Sequence, residues 1–453
     1  DTPMHVGSLM LLEKPRRRGY DFHRDLAAHV TARLPRAPAL RRVLTYAPLD
    51  LAHPLWMSVD RIEIDAHVVT RSLRAPGSHK QLMNLVAEQH AEPLPRERPL
   101  WQFVVIDGLA SGQLALYSKI HHALLDGQGG IALAQALLDV EATVSHDPKT
   151  AEAAAATSAD ASSGPSRRDV AQVAARGALN QFARLVRAMP ATLRMATAAI
   201  GDPRTLVGRI RDAVLVAPRT PFNVQVCAQR RFAIASFPLQ QARQVARAFG
   251  VSLNDVVLAM CADALRAQLA KRKALPKQSL IAAMPVSLRE AGSTESNNQV
   301  SMVQCSLATD IADPVERLLA INKASSGIKE RVNAFRSLIP TDYPGLAAPL
   351  WASGLTRLWA RGRVAEKLPP LANLAISNVP GPPIDLYLAG TKLLHYFPIS
   401  IVTHGLGLNI TVQSYAGHLE FGIIACKNVE PNPEAIAKSL APALAELLAR
   451  IPA

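Results

Sequence analysis

The chain has 453 residues, more than one hydrophobic core usually supports, and this length predicts two domains or domain-like halves. Its residues are 49% hydrophobic, and no apolar run approaches the roughly 18 residues of a membrane span, so an integral membrane protein is not expected. The net charge of +14 favours an anionic partner: a phosphorylated substrate, an anionic membrane surface or nucleic acid. Nucleic acid is the weakest of the three, because aromatic residues make up only 5% and no DNA-binding motif is present.

The first 140 residues mix helix and strand patterns. DFHRDLAAHVTARLPRAPALRRVL, beginning at Asp21, predicts an amphipathic helix interrupted near Pro35 and then a second short helix. QLALYSKIHH (113–122) alternates with period two, which is typical of a strand, and IALAQALLDV (131–140) predicts a helix.

Composition changes sharply after residue 140. Residues 141–168 are rich in Ala, Ser, Thr and Asp without apolar periodicity, and we interpret them as a flexible linker. Residues 169–220 follow as a basic amphipathic helical connection; Ser166 to Arg231 contain twelve Arg and three Asp, with no Lys or Glu. These arginines form either a solvated helix face or a surface that docks on anionic lipid.

The remainder, 221–453, predicts a second mixed α/β half. FAIASFPL predicts a strand, LQQARQVARAFG a helix that ends at Gly250, and VSLNDVVLAMCADALRAQLAKR a helix whose N-cap is Ser252 or Asn254. Three further stretches and a C-terminal helix from Asn432 complete this half: SLIAAMPVSLRE, LANLAISNVPGP and LGLNITVQSYAGHLEFGIIAC.

The four cysteines do not form a recognisable pattern. They are far apart in the sequence, fit neither a zinc site nor a disulfide framework, and favour a reducing cytoplasm. They are Cys227, Cys261, Cys305 and Cys426.

The stretch KIHHALLDGQGG (119–130) carries the clearest chemistry. Strand alternation points His121 and His122 in opposite directions, which argues against one metal ion bound by both, so no metal site is predicted. His122 falls on the more apolar face, and the following glycines permit a sharp turn into the helix. A neutral imidazole there is suited to act as a general base, while Asp126 either orients the imidazole or pins the loop through an arginine.

A covalent route would need a nucleophile. The chain has no G-x-S-x-G elbow and no cysteine in a catalytic context. The alternative is direct attack on an acyl donor by a hydroxyl group that the base activates, within a ternary complex.

Six stretches together resemble one known family. HHALLDG matches the HHxxxDG signature of acyltransferases related to chloramphenicol acetyltransferase and to condensation domains. PMHVG, PLPRERPLW, NDVVLA, PVSLR and SNVPGP resemble, in the same order, segments of the bacterial wax ester synthase/diacylglycerol acyltransferase family. The resemblance covers nearly the whole chain except the linker.

The resemblance implies a fold and a set of roles. The fold class is α/β, with two chloramphenicol-acetyltransferase-like subdomains, each a mixed sheet with helices, and a substrate channel between them. His122 is expected to be the general base, with His121 and Asp126 as supports of the loop. The residues expected to bind substrate or CoA, or to line or brace the channel, are Gly127, Asn254, Asp255, Arg289, Ser377 and Asn378.

Several of these residues keep a second interpretation. Asn254 lies near the reacting carbonyl or caps a helix, and Arg289 pairs with Asp126, contacts CoA or lies on the surface. The structural part of the motifs is Pro99, Leu100, Trp101, Pro380 and Gly381, with Trp101 expected to pack rather than to contact substrate.

The predicted function is O-acyl transfer from acyl-CoA to a long-chain alcohol or diacylglycerol, giving wax ester or triacylglycerol, without a cofactor or metal. The alternatives are a same-fold acyltransferase for a polyketide, glycolipid or short alcohol, and a non-catalytic protein that binds lipid surfaces. The expected partners are acyl-CoA, the acceptor and an anionic membrane or lipid-droplet surface, with no nucleic acid. The expected location is the cytoplasm, with peripheral attachment to the inner membrane or to lipid droplets.

Overall fold

The structure is a computed structural model, and it describes residues 2–15, 19–46, 54–124, 127–142, 215–287, 300–327 and 369–452. Nearly all of the predicted linker and most of the basic connection lie outside these ranges. Asp126 and Arg289 lie outside them as well.

Helices and strands alternate along both halves of the described chain. The strands are β1 (His5–Leu12), β2 (Arg42–Thr45), β3 (Leu55–Ser58), β4 (Val68–Ser72), β5 (Trp101–Asp107), β6 (Leu114–His121), β7 (Arg230–Pro238), β8 (Ile281–Ser287), β9 (Val300–Ser306), β10 (Leu374–Val379), β11 (Tyr387–Leu388), β12 (Thr391–Ile399), β13 (Leu408–Tyr415) and β14 (His418–Cys426). The α-helices are α1 (Phe22–Arg33), α2 (Ile64–His67), α3 (His79–Ala91), α4 (Gly127–Leu137), α5 (Leu239–Phe249), α6 (Leu253–Lys271), α7 (Pro314–Ser326) and α8 (Pro433–Ala449).

The helix boundaries follow local sequence signals. Helix α1 stops just before Pro35, and short 3-10 turns replace the second predicted helix. Helix α5 ends at Gly250, which has φ +64°, as the sequence predicted. Ser252 caps α6 by accepting a hydrogen bond from the Asp255 N–H, so Asn254 is not the N-cap.

Two six-stranded sheets form the two halves of the molecule. The first has the order β11-β12-β1-β6-β5-β4, and the second the order β7-β14-β13-β10-β8-β9. Both are mixed, because β4 runs parallel to β5 and β10 runs parallel to β13 and β8. The prediction of two α/β halves, each a mixed sheet with helices, is confirmed.

Two strands of the first sheet come from late in the chain. β11 and β12 follow β10 of the second sheet, and β12 pairs antiparallel with β1. The predicted domain limits, 1–140 and 221–453, describe chain order, but in space residues 387–399 lie in the first sheet.

The two sheets share one hydrophobic core. Leu9, Val86 and Tyr117 of the first half lie in the same buried cluster as Val257 and Phe421 of the second half. A separate core covers the other face of the first sheet, where α1 and α4 pack. The site described below therefore lies on strands that are buried on both faces.

β12 and β14 approach closely where the sheets meet. A Cβ atom at Gly422 would lie 1.6 Å from the carbonyl oxygen of Pro398, so only glycine permits this contact. A glycine at position 422 is therefore required for β12 to pack this closely against the second sheet.

Within the described ranges, no single helix is long and apolar enough to cross a membrane. Helices α5 and α6 reach the required length and hydropathy only as a pair, and they are bent by 104° at the break between them. Much of α6 is buried in the shared core.

Candidate active site

The histidine pair lies at the end of β6, between two other sequence motifs. The His122 N–H donates to the Met4 carbonyl at 2.8 Å, and the His121 N–H donates to the Leu100 carbonyl at 2.9 Å. PMHVG thus holds one side of the pair and PLW holds the other. The backbone at the pair is fixed by contacts that are remote in sequence.

Strand alternation is observed along β6, with both faces buried. Leu116 and Ile120 face the core with α1 and α4, while Ala115 and Tyr117 face the shared core. Regular pairing ends at His121, and His122 is the first residue of the turn. Strand alternation predicted from the sequence that the His122 ring points to the more apolar face. Because His122 lies outside the strand, alternation alone does not determine the direction of its ring.

His121 has a defined environment. Its ring Nδ1 accepts a hydrogen bond from the Ala123 N–H at 3.2 Å. Burial, together with the positive charge of Arg96, lowers its pKa below the usual value. His121 is therefore kept neutral, with its Nε2 carrying the proton, which suits a residue that shapes the turn.

His5 lies directly opposite His121 on the neighbouring strand. The β1–β6 register pairs the two residues, and their rings are edge to face with centroids 6.0 Å apart. The His5 Nδ1–H donates to the His90 carbonyl at 3.0 Å, which leaves the His5 Nε2 as an acceptor. Burial lowers the pKa of His5 to about 4.

His90 extends this network towards the second half of the chain. Its Nε2–H donates to the Ser400 carbonyl at 3.2 Å, so its Nδ1 accepts from the Tyr117 hydroxyl at 2.7 Å. Burial holds the pKa of His90 well below its usual value, and the nearby His5, Arg230 and Lys119 lower it further. Both ring nitrogens are thus satisfied with the imidazole neutral.

Lys119 completes the buried polar cluster. Its Nζ donates to the carbonyls of Gln89 and Glu92 at 2.7 and 2.8 Å, and the side chain is 1% exposed. Burial lowers its pKa to about 8, although the Glu92 charge opposes the change. We name His5, His90, Tyr117 and Lys119 the polar cluster beneath the histidine pair.

The two residues of the ND motif do different things. Asp255 is buried and accepts hydrogen bonds from Ser252, Asn322 and Ser325, at 2.6–3.0 Å. Burial opposes ionisation, but these hydrogen bonds outweigh it and lower the pKa of Asp255. It braces α6 against α7. Asn254 is free of this network.

Asn254 instead contacts the SNVPGP segment. The Asn378 side-chain amide donates to Asn254 Oδ1 at 3.4 Å, so the two motifs meet. Ser377 lies beside Asn378 on β10, opposite Thr411 of β13. Among the described residues, no hydrogen bond joins the histidine pair to Asn254 or Asn378.

Pro380 and Gly381 lie where the chain leaves the second sheet for β11. The Gly381 N–H donates to the Ser414 hydroxyl at 3.0 Å. A Cβ atom at Gly381 would lie 2.0 Å from the Ser414 carbonyl oxygen, which explains the glycine. The segment is thereby pinned to β13 at the crossover.

The PLW segment is buried. Pro99 and Leu100 lead into β5, and Trp101 is 1% exposed with its indole N–H donating to the Leu40 carbonyl at 2.9 Å. His67 stacks on Trp101 at 4.3 Å between ring centroids. Trp101 therefore packs, while Leu100 supplies the carbonyl that holds His121.

The loop after the histidines is described only in part. Asp126 and Arg289 lie outside the described residues, so their pairing stays a prediction. Gly127 is the first residue of α4. Among the described side chains, no group of three His, Cys, Asp or Glu could hold a metal ion.

The polar cluster was not identified from the sequence. Alternation had placed Tyr117, Lys119 and His121 on one face, and PMHVG had been noted without a role for His5. The sequence thus contained indications for Tyr117, Lys119 and His5. His90 lies on α3, and only the packing of α3 against the sheet places it beside His5 and Tyr117.

The geometry has counterparts among known proteins. Residues 1–257 match the wax ester synthase/diacylglycerol acyltransferase catalytic domain, and residues 296–448 match the C-terminal domain of the same proteins. The chain belongs to the wax ester synthase/diacylglycerol acyltransferase family. Two Mycobacterium tuberculosis members, the probable diacylglycerol O-acyltransferase tgs2 and a putative diacylglycerol O-acyltransferase, are each 35% identical. Both matches cover 99% of this chain, and 95% and 96% of the relatives.

Solved structures of the family and of its fold agree. The wax ester synthase/diacylglycerol acyltransferase from Marinobacter aquaeolei VT8 has a TM-score of 0.67 at 29% identity, over 98% of this chain and 94% of that one. The first condensation domain of the calcium-dependent antibiotic synthetase has a TM-score of 0.56 at 15% identity, over 100% and 93%. At that identity the second likeness concerns the fold alone. The predicted family and fold class are confirmed.

Proposed function

We propose that this family member transfers a fatty acyl group from acyl-CoA to the hydroxyl of a long-chain alcohol or of diacylglycerol. The products are a wax ester or triacylglycerol, together with free CoA. The full-length match to diacylglycerol O-acyltransferases carries this proposal. The histidine pair, held at a strand end by two other family motifs, supports it.

His122 is the general base in this mechanism. One ring nitrogen takes the proton from the acceptor hydroxyl as its oxygen attacks the thioester carbonyl. The carbon–sulfur bond then breaks, and the imidazolium returns the proton to the CoA thiolate. No covalent enzyme intermediate and no cofactor or metal is needed, because atoms and charges balance within the ternary complex.

The neighbouring residues support this base. His121 holds the Ala123 N–H and shapes the turn after the strand. Asn254, freed from helix capping, is available to the substrate at the contact with Asn378. Asp126, Gly127 and Arg289 keep their proposed roles in the loop and in CoA binding.

Replacing His122 tests the mechanism. His122→Ala should lower kcat by about 10²–10⁴-fold, measured as thiol release from palmitoyl-CoA with hexadecanol. The exposed His79 on α3 gives a matched control, and His79→Ala should retain wild-type turnover. Near-normal turnover by His122→Ala, with a native circular dichroism spectrum, would contradict the mechanism.

The acceptor is tested separately. One acyl-CoA is compared with decanol, hexadecanol and diacylglycerol as acceptors, and the highest kcat/KM is expected for the last two. Preference for a short alcohol, or turnover only with a polyketide or glycolipid acceptor, would favour the same-fold alternative. No thiol release with any acceptor would favour a non-catalytic lipid-binding protein.

We also propose that the protein works in the cytoplasm at an anionic membrane or lipid-droplet surface. The insoluble acceptors and the arginine-rich segment Ser166 to Arg231 support this. Binding to vesicles that contain anionic lipid should weaken as salt is raised, with neutral vesicles as the control. Absent or salt-insensitive binding would contradict it.

A further inference from the structure

Two cysteines that are 199 positions apart in sequence meet in the structure. The Sγ atoms of Cys227 and Cys426 lie 3.1 Å apart, and the Cys227 N–H donates to the Cys426 Sγ at 3.0 Å. Cys227 lies three residues before the start of β7, and Cys426 ends β14, the strand that pairs with β7. The spacing of the cysteines in the sequence does not predict this contact, because the pairing of β7 with β14 brings the two residues together.

The two thiols differ in access and surroundings. Cys227 is half-buried, whereas Cys426 is fully buried. Burial opposes ionisation of Cys227, but hydrogen bonds with the Cys426 side chain and with the backbone of Gln229 and Lys427 outweigh it and lower its pKa, and the Arg230 charge adds to them. Burial raises the pKa of Cys426. Cys227 is therefore the better nucleophile, and Cys426 is close enough to react with it in a second step.

A buried guanidinium provides a second, independent observation. Arg230 is 7% exposed and donates through Nη1 to the carbonyls of Cys227 and Gln229. Its Nη2 has no hydrogen-bond partner among the described residues. Among the described residues no carboxylate pairs with Arg230, and its charge favours the thiolate form of Cys227.

We propose that Cys227 is an oxidation site for hydroperoxides and that Cys426 resolves it as a disulfide. The Cys227 thiolate attacks one peroxide oxygen and the O–O bond breaks, so that Cys227 becomes a sulfenic acid. The alkoxide or hydroxide that leaves takes up the proton released by the Cys227 thiol and becomes an alcohol or water. The Cys426 sulfur then attacks the Cys227 sulfur, and the hydroxide that leaves combines with the Cys426 proton as water. The two thiols lose two electrons, and these reduce the peroxide bond.

The modification joins the segment before β7 to the end of β14. Cys261 and Cys305 lie in the core and are fully buried, so they are internal controls in the same chain. Since none of the four cysteines has a part in the proposed acyl transfer, this inference stands or fails independently of that function.

The test uses the reduced full-length chain and hydrogen peroxide as the probe. Peptide mapping without reductant should yield a Cys227–Cys426 linked peptide, with Cys261 and Cys305 still reduced. Cys426→Ser should accumulate a Cys227 sulfenic acid that dimedone traps, and Cys227→Ser should leave Cys426 unmodified.

Arg230 is tested by two variants. Arg230→Gln should slow oxidation of Cys227, and Arg230→Lys, which keeps the positive charge, should restore most of the rate. The proposal is overturned if the wild-type chain gives no Cys227–Cys426 peptide, or if Cys227 reacts no faster than Cys261 and Cys305. Equal oxidation of Cys426 in Cys227→Ser would also overturn it.

Discussion

At the scale of single residues, hydrogen-bond partners separate the roles of similar side chains. His5, His90 and His121 are all imidazoles with lowered pKa values, but each has a different donor and acceptor arrangement. The carbonyl partners fix the tautomers of His5 and His90, and a backbone N–H fixes that of His121. We therefore expect His5 to position the histidine pair through its neighbour His121.

This expectation is tested by two variants at His5. His5→Asn keeps a donor for the His90 carbonyl and should retain at least about a tenth of wild-type kcat. His5→Leu leaves the His90 carbonyl without this donor and should lower the free energy of unfolding by about 1–3 kcal/mol. It should also lower kcat more than His5→Asn does, with KM little changed. Kinetics and urea unfolding measure both effects. Identical kinetics for Leu and wild type would contradict a positioning role.

At the scale of elements, α6 shows how one short motif is divided between stability and function. Ser252 and Asp255 form a capping box, and Asp255 also ties α6 to α7 through Asn322 and Ser325. Asn254 lies between them and contacts Asn378 near the end of β10. Adjacent residues on a helix point in different directions. Asp255 can therefore stabilise the helix while Asn254 contacts another part of the molecule.

Replacing each residue of the pair should separate the two roles. Asp255→Ala should lower the free energy of unfolding by about 2–4 kcal/mol, because the side chains of Ser252, Asn322 and Ser325 lose their shared buried acceptor. Asn254→Ala should change stability by less than about 1 kcal/mol while lowering kcat/KM. Chemical denaturation and steady-state assays measure these effects. Unaltered kcat/KM in Asn254→Ala would assign Asn254 a structural role only.

At the scale of the whole molecule, two features join the halves. β11 and β12, which follow β10 of the second sheet in the chain, lie in the first sheet, and both sheets share one core. β12 pairs with β1, and it also contacts β14 across Gly422. The polar cluster is tied to the end of β12 by the bond from His90 to Ser400. The position of the histidine pair thus depends on both halves being folded.

The close approach at Gly422 gives a stability prediction. Gly422→Ala should lower the free energy of unfolding by about 3 kcal/mol or more, because the new Cβ meets a backbone carbonyl that cannot rotate away. Gly130 in α4 has nothing within 4 Å of its ideal Cβ, and Gly130→Ala should stabilise by about 0.5–1 kcal/mol. Equal effects of the two substitutions on urea midpoints would contradict the tight contact.

Acid should destabilise the protein below about pH 6.5. Burial is the main cause of the lowered pKa of His5, with Lys119, His121 and Arg230 adding to it and the hydrogen bond to the His90 carbonyl opposing it. The unfolded chain therefore takes up this proton first, so the free energy of unfolding falls as pH falls from about 6.5 towards 4. Other histidines with lowered pKa values act in the same direction: His67, His79, His90, His121 and His404.

The contribution of His5 can be isolated. His5→Asn does not titrate, so the fall in its unfolding free energy between pH 6.5 and 4 should be smaller than that of wild type. Urea unfolding at several pH values measures the difference. A pH profile parallel to that of wild type would show that His5 is not protonated on unfolding in this range.

The sequence by itself determined the family, most local elements and the order of the motifs. Helix ends at Pro35 and Gly250, the strand before the histidines and the helix from Asn432 depend on neighbouring residues, and such signals are readable along the chain. Only the tertiary structure decided that β12 joins the first sheet, that His5 and His90 lie beneath the histidine pair, and that Cys227 meets Cys426. These contacts join residues 85 to several hundred positions apart, and sheet pairing and core packing, which no local pattern encodes, bring them together.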